Sequence, residues 1–376
     1  MMRFIVAQKQ MNLSRLIVIA LSAIRLASCG NKPSNLVADP QPGNNRPSAL
    51  VSKPQPRKSG RTFADWCREK ADLSPEAKHT VEELLKIAGT TECDAANQKL
   101  SSLTKLILEN TQISDIKPLE SLTQLSEINL SKNQISDIKP LQSLTKLTLL
   151  RLYNNQISDI KPLESLINLT ALFISGTQIS DIKPLQSLTN LTGLYLSGTQ
   201  ISDIKPLQSL TNLTWLDLNN NKISDIKPLK SLTKLDWLSL VNNQISDIKP
   251  LQSLTNLTAL QLSNNQISDI KPLQSLTKLT LLSLFRNQIN EIPPLESLTN
   301  LTSLDLLDNQ ISDIKPLESL TKLTQLGLSN NQISDIKPLA SLTNLTSISL
   351  TGNPIAPKTC PLKPESICKW EPQAKP

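Results

Sequence analysis

The chain is poor in the residues on which most catalytic and metal sites depend. Of its 376 residues only 3% are aromatic, nine are glycine, and His79 is the sole histidine. A single histidine excludes metal sites that need several imidazole ligands. The motifs G-x-x-x-x-G-K-[ST], G-x-G-x-x-G, G-x-S-x-G and H-E-x-x-H do not occur. The sequence therefore predicts a protein that is not an enzyme and that needs no metal or cofactor.

Excess positive charge is missing from most of the chain. The net charge is +7, but residues 1–62 contain ten Lys or Arg against one Asp, so the remainder is slightly acidic. Nucleic-acid-binding proteins carry their basic patch on the folded body. Nucleic acid is therefore not an expected partner.

Hydrophobic runs long enough to span a bilayer are also missing. The apolar run 16–24 follows Arg15 and is nine residues long, whereas a spanning helix needs about 20. A basic residue, a short apolar run and small residues are typical of a cleaved export signal. The ending Leu-Ala-Ser-Cys at 26–29 resembles the lipobox of bacterial lipoproteins, which implies a lipid on Cys29 and a place in the cell envelope, at the outer membrane or cell surface. An ordinary signal with an unmodified cysteine is the alternative, and Met11 is an alternative start.

The rest of the chain is dominated by a repeat of 22 residues. Twelve units begin at Leu103 and then every 22 residues, the last at Leu345. Each unit carries L-x-x-L-x-L-x-x-N, in which a period-two pair predicts a strand, and a proline in the second half that forbids a long helix. This period and pattern resemble leucine-rich repeats, and the second half is similar to internalins and to regulatory subunits of eukaryotic protein phosphatases.

The resemblance implies an α/β leucine-rich repeat solenoid. This is a right-handed superhelix with a parallel sheet on its concave face and short 3₁₀ segments or turns on its convex face. Apolar side chains of one unit become buried only when neighbouring units stack. We expect five segments, which are a signal peptide at 1–28, a disordered Pro/Ser-rich tether at 29–61, an N-terminal helical cap at 62–102, the repeat array at 103–356 and a C-terminal cap at 357–376.

Two sets of residues are predicted to hold the array together. An asparagine ladder follows the strands, in which each amide bonds to the backbones of adjacent units; its members are Asn133, Asn155, Asn221, Asn243, Asn265, Asn287, Asn309, Asn331 and Asn353. Threonine replaces it at Thr111, Thr177 and Thr199. Disulfides Cys67–Cys93 and Cys360–Cys368 are expected to close the two caps, because an exported protein can keep them oxidised. Free thiols are the alternative.

The N-terminal cap also has a helix signal. Ser74 and Pro75 open the run 74–88 as N-cap and first helical residue. His79 lies in this run, without a candidate nucleophile around it, and is interpreted as a surface histidine. On the opposite face of the repeats, Asp-Ile-Lys recurs in ten units, which predicts a solvated and charge-balanced convex surface rather than a calcium site.

Sequence variation between units is concentrated at positions three, five and seven of each unit, which alternate with core leucines and point out of the sheet. All six aromatic residues of the array occupy these positions. A clustered patch of exposed Trp, Tyr and Arg is typical of a binding surface. The predicted partner-binding residues are Arg151, Tyr153, Phe173, Tyr195, Trp215, Asp217, Trp237, Phe285 and Asp305. The competing interpretation is that aromatic residues simply suit strands.

These patterns favour a monomeric, lipid-anchored recognition module that binds a protein or glycan on its concave face. The resemblance to internalins implies adhesion or interaction with another protein. One alternative is a structural spacer of the cell envelope without a dedicated ligand. Another, from the resemblance to phosphatase regulators, is an intracellular scaffold.

Overall fold

A computed structural model describes residues 60–371 of the chain. The predicted leader, the tether and Cys29 lie outside the described residues. Thirteen parallel strands form one sheet, and each strand pairs with the next along the chain. The strands are β1 Lys105–Ile107, β2 Glu127–Asn129, β3 Leu149–Arg151, β4 Ala171–Phe173, β5 Gly193–Tyr195, β6 Trp215–Asp217, β7 Trp237–Ser239, β8 Ala259–Gln261, β9 Leu281–Ser283, β10 Ser303–Asp305, β11 Gln325–Gly327, β12 Ser347–Ser349 and β13 Cys368–Lys369.

Short 3₁₀ segments return the chain from one strand to the next, as the recurring proline predicts. Proline occupies the first or second position of each array segment, where its fixed φ is tolerated and its missing N–H costs no bond. The array segments are Lys117–Leu119, Lys139–Ser143, Lys161–Ser165, Lys183–Ser187, Lys205–Ser209, Lys227–Ser231, Lys249–Ser253, Lys271–Ser275, Pro293–Ser297, Lys315–Ser319 and Lys337–Ser341; Lys70–Asp72 and Glu365–Ile367 lie in the caps. The predicted solenoid is confirmed.

The core is a continuous stack of leucine and isoleucine between the sheet and the 3₁₀ segments. In the unit that begins at Leu147, the strand residue Leu150, Leu152 just after the strand, and the return residues Ile157 and Ile160 are at most 1% exposed. Each buried aliphatic side chain contributes roughly 1.5–3 kcal/mol. Because a neighbouring unit supplies the burial, the stabilisation belongs to the stack rather than to a single unit.

The asparagine ladder bonds adjacent units as predicted. Asn243 Nδ2 donates to the carbonyls of Leu218 and Leu240 at 3.0 and 3.1 Å, and Oδ1 accepts from Ile223 N at 3.0 Å. Thr177 reproduces only one of these bonds, the one to its own strand, in which its hydroxyl donates to Ile174 O at 2.9 Å. The amide therefore satisfies carbonyls that the bend after each strand leaves unpaired.

Three helices cover the first unit of the array. They are α1 Phe63–Arg68, α2 Pro75–Ala88 and α3 Cys93–Ser101. Ser74 caps α2 by accepting from Ala77 N at 3.2 Å, which confirms the predicted start; α1 and α3 were not predicted. The disulfide Cys67–Cys93 ties α1 to α3.

The interpretation of His79 as a surface histidine is wrong. The side chain is half-buried, and its Nε2 lies 2.7 Å from Thr111 O in the first repeat. Thr80, also on α2, donates its hydroxyl to Asp115 O at 2.7 Å. Polar side chains of α2 therefore bond to backbone carbonyls of the first repeat, and these bonds bring the histidine against the array.

The C-terminal cap adds one strand that the repeat pattern does not contain. Cys368 pairs with Ile348 and Lys369 with Ser349, and the disulfide Cys360–Cys368 holds this segment in place. The sheet therefore ends in a two-residue strand, a short edge that offers little for another chain to pair with.

The convex aspartates have a structural role that the charge pattern did not show. Asp247 Oδ1 accepts from the backbone N–H of Lys249 at 2.8 Å, and the same bond recurs along the array. The lysine side chain reaches its aspartate in only a few units, such as Asp115–Lys117 at 3.2 Å. These carboxylates stabilise the start of the array's 3₁₀ segments that begin with lysine, and their spacing reflects that bond.

No helix in the described range 60–371 is long and apolar enough to cross a membrane.

Candidate functional site

The parallel register of the sheet places equivalent positions of successive units side by side. Arg151 pairs with Phe173, Phe173 with Tyr195, and Tyr195 with Asp217. Trp215 pairs with Trp237 in the same way at position three. The row predicted from the repeat spacing is therefore present on the outward face of the sheet.

Four of these side chains form a stack that we call the aromatic ladder, made of Phe173, Tyr195, Trp215 and Trp237. The ring centroids of Phe173 and Tyr195 are 4.2 Å apart with planes 12° from parallel, and those of Trp215 and Trp237 are 4.3 Å apart at 12°. Tyr195 and Trp215 are 6.2 Å apart at 29°. Parallel strands ~4.8 Å apart bring equivalent rings to stacking distance, and each pair contributes ~0.5–1.5 kcal/mol beyond its burial.

The expectation that both tryptophans are exposed is wrong. Trp215 and Trp237 are 4% and 6% exposed. They are nevertheless outside the leucine core, because Leu216 and Leu238 point into the core cluster and the two indoles do not belong to it. Face-to-face stacking covers the ring faces, so the ladder presents less aromatic surface than isolated rings would.

One polar atom of the ladder has no partner. The indole Nε1 of Trp215 is buried, and it forms no hydrogen bond in the described part of the chain. A buried donor without an acceptor costs about 1–3 kcal/mol. This cost falls on Trp215, whose ring lies between those of Tyr195 and Trp237 in the ladder.

Arg151 places a cation at one end of the row of position-five residues. The guanidinium carbon of Arg151 is 5.1 Å from the centroid of the Phe173 ring. Within the described ranges Arg151 forms no ion pair. Its guanidinium is attracted instead to the face of the Phe173 ring, by ~0.5–1 kcal/mol at sites open to water.

A carboxylate lies at the other end of the same row. Asp217 accepts one hydrogen bond, from the backbone N–H of Asn219 at 3.0 Å, and no cation of residues 60–371 pairs with it. Burial raises the pKa of Asp217 to about 6, against a smaller lowering by the Asn219 bond. Burial also raises the pKa of the neighbouring Tyr195, and the charge of Asp217 adds to that rise. The Asn219 bond therefore offsets only part of the desolvation of this carboxylate.

Tyr153 belongs to a different group, at the start of the array. Its hydroxyl donates to Glu109 Oε1 at 2.8 Å, and Lys132 Nζ lies 2.9 Å from the same oxygen. Asn129 Nδ2 donates to Glu109 Oε2 at 2.9 Å. The bonds from Lys132 and then Tyr153 lower the pKa of Glu109. These groups satisfy one another, so Tyr153 is held in place and is not joined to the ladder.

Phe285 and Asp305 form a third group further along the sheet. Arg286 Nε lies 3.2 Å from Asp308 Oδ2, and its guanidinium is 6.0 Å from the Phe285 ring. Burial raises the pKa of Asp305 to about 6, while its bond from Leu307 N lowers it. One strand, β8, lies between the unit of Phe285 and that of Trp237, and the ring stack among the described residues ends at Trp237.

A polar network beyond Asp217 was not predicted. Ser239 donates its hydroxyl toward Asn219 Oδ1 at 2.5 Å and lies 2.9 Å from Gln261 Oε1. Val241 N also donates to Asn219 Oδ1, at 2.7 Å. The sequence places these residues at the outward positions five and seven of units six to eight. Polar side chains at outward positions do not indicate burial, so the network could not be predicted.

No group of three or more potential metal ligands occurs within 60–371. The described surface therefore shows an aromatic ladder bracketed by charges and no cluster suited to a metal.

Comparisons with known proteins agree with this architecture. The sequence profile described as "Leucine Rich repeats (2 copies)" matches residues 101–143, 145–187, 189–231, 233–275, 277–319 and 321–363. No curated protein sequence is significantly similar to the chain.

Solved structures give a more specific likeness. An internalin, InlF, from Listeria monocytogenes is 35% identical, with a TM-score of 0.71, and the match covers 81% of this chain and 98% of that one. The functional domain of InlJ from the same species is 21% identical, with a TM-score of 0.52, over 78% of this chain and 76% of that one. The ectodomain of a membrane receptor kinase from Arabidopsis thaliana, solved with Casparian strip integrity factor 2, is 23% identical, with a TM-score of 0.57, over 68% of this chain and 37% of that one. The last two show the fold alone.

Proposed function

Since the chain belongs to the leucine-rich repeat family and is internalin-like, we propose that it is a non-enzymatic recognition protein that binds a protein partner on the concave face of its array. The aromatic ladder carries this proposal. Aromatic and arginine side chains are enriched in the residues that dominate binding energy, and the array places four rings and Arg151 in one row of strands.

Two features of the ladder suit a partner rather than the fold alone. The indole N–H of Trp215 is buried without an acceptor, a cost of about 1–3 kcal/mol that strand propensity does not explain. The charges of Arg151 and Asp217 also lack counter-ions in residues 60–371. Clustering in units three to seven is not explained by strand propensity, which applies equally to all twelve units.

The same proposal includes export and a lipid anchor at Cys29, with the protein at the outer membrane or cell surface. The apolar run 16–24, the Leu-Ala-Ser-Cys ending and the two disulfides support it, because such bonds persist in oxidising compartments. They also favour an exported protein over an intracellular scaffold. Mass spectrometry of the mature N-terminus should show a lipid-modified Cys29; an unmodified cysteine would contradict the anchor.

Paired variants test the binding surface. The tagged full chain is used to capture partners from native envelope extracts, alongside Trp215→Ala/Trp237→Ala and, as a matched control, the convex pair Lys249→Ala/Lys271→Ala. We expect the tryptophan pair to lose at least about 90% of the captured partner, since hot-spot truncations cost 2 kcal/mol or more each, and the lysine pair to keep it.

Thermal unfolding identifies variants that fail for structural reasons. If the tryptophan pair unfolds, Tyr195→Arg serves as a second variant, because Tyr195 is half-buried and its ring lies between Phe173 and Trp215. Equal capture by a folded ladder variant and by the wild type would refute a concave binding site.

A further inference from the structure

The row at position five has opposite charges at its two ends. Arg151 lies on β3 and Asp217 on β6, with Phe173 and Tyr195 between them. Three strand spacings separate the two charges, or ~14 Å. At that distance they do not pair, and in the described part of the chain each lacks any other ionic partner.

The fold does not need a charge at Asp217. Asn129 occupies the equivalent position of unit two and accepts the same bond, from Ser131 N at 3.1 Å, with a neutral amide. The units after the sixth carry Ser, Gln or Gly at this position, among them Ser239 and Gln261, except unit ten, where Asp305 accepts the equivalent bond from Leu307 N at 3.2 Å. Burying a carboxylate without a cation is costly, and the local backbone bond does not account for that cost.

The spacing of the two charges matches an extended peptide. A strand rises ~3.4 Å per residue, so four residues span ~14 Å. Side chains alternate along an extended chain, so residues separated by four point the same way, whereas residues separated by three or five point to opposite sides. Two side chains of one peptide can therefore reach both charges only at an even separation, and four is the one that fits the distance.

Apolar residues flank the row on one side only, at position three, where they are Leu149, Ala171, Gly193 and Trp215. A peptide that runs along the aromatic ladder lies against the ring edge of the half-buried Tyr195, which carries partial positive charge and favours contact with carbonyl oxygens. Ionic contacts made next to such a surface are shielded from water and are stronger than exposed ones.

We propose that the partner presents an extended peptide that crosses the strands along the aromatic ladder, with an acidic side chain on Arg151 and a basic side chain on Asp217, four residues apart. This rests on the proposed function and specifies the chemistry of the partner at that site. Arg151 always takes the acidic side chain and Asp217 the basic one, so the peptide can run in either direction as long as the order of its two charges matches.

Synthetic peptides test the spacing. Fluorescent peptides of a neutral Thr/Ser/Val background carry one Glu and one Lys at separations of two to six, and their affinity for the full chain is measured by anisotropy. We expect separation four to bind about tenfold or more tightly than three and five, since at those separations only one of the two charged side chains can reach its partner. Equal affinity at all separations, or no binding of any peptide, would overturn the proposal.

Charge reversal tests the assignment of each end. The Arg151→Asp variant should prefer Lys and Lys at separation four, and Asp217→Lys should prefer Glu and Glu. Asp217→Asn reproduces the neutral residue of unit two, so it keeps the backbone bond and should lose the preference for Lys. Unchanged preferences in these variants would refute the assignment.

The two proposals fail in different ways. If Trp215→Ala/Trp237→Ala abolishes capture of the natural partner while Arg151→Asp and Asp217→Asn retain it, the concave site stands and the charged-peptide inference is wrong. If the tryptophan pair retains capture, the binding site itself is wrong.

Discussion

The buried carboxyl of Asp217 predicts a pH-dependent difference in stability between the wild type and Asp217→Asn. Its pKa rises from the ordinary value of 3.8 to about 6 in the folded chain. A shift of about 2 pKa units corresponds to about 3 kcal/mol. The folded state therefore favours the protonated carboxyl, and the ionised form destabilises it.

The sign of the effect follows from that shift. Well below the unfolded pKa of 3.8 the carboxyl is protonated in both the folded and unfolded states, so it contributes nothing. As the pH rises through 3.8 toward the folded pKa of about 6, the unfolded chain ionises first and the wild type loses stability relative to the variant. The gap levels off only above that folded pKa, where Asp217→Asn is more stable by up to about 3 kcal/mol, because the amide oxygen can still accept from Asn219 N.

Urea denaturation between pH 4 and pH 8 measures this gap. The midpoint reports the change in stability as long as the slope stays the same. Ser239→Ala is the matched control, since Ser239 holds the same position in the next unit and does not titrate in this range; its offset from the wild type should be equal at every pH. A gap between wild type and Asp217→Asn that stays flat over this range would refute the burial argument.

The asparagine ladder and the cap disulfides give two further predictions. Asn243→Ala removes two donated bonds and one accepted bond within a buried turn and should cost about 3 kcal/mol, whereas Asn243→Thr should cost less, because threonine keeps the bond to its own strand as Thr177 does; equal midpoints for the two variants in urea would contradict the role of the ladder. Replacing Cys67 and Cys93 by serine opens a 26-residue separation and should cost about 3.5 kcal/mol, against about 2.5 kcal/mol for the 8-residue separation of the C-terminal pair. Thermal unfolding with and without reductant measures both, and a larger loss from the C-terminal pair would argue against the loop-entropy account.

The repeat period by itself determined the fold and the register. When a strand recurs every 22 residues, equivalent positions must pair, so the sequence alone places Arg151, Phe173, Tyr195 and Asp217 in one row. The alternation of inward leucines with variable residues likewise determined which side chains leave the core. Both are local properties that each unit repeats, which is why the sequence is sufficient to predict them.

Only the tertiary structure decided how much of that row is accessible and which charges lack partners. The burial of Trp215 and Trp237 depends on ring stacking between units, and the raised pKa of Asp217 depends on desolvation by its neighbours. The bond from His79 to the first repeat and the added strand β13 arise at the ends of the array, where the repeat rule does not apply. Each of these features depends on contacts between units or with a cap, and the pattern within one unit carries no information about them.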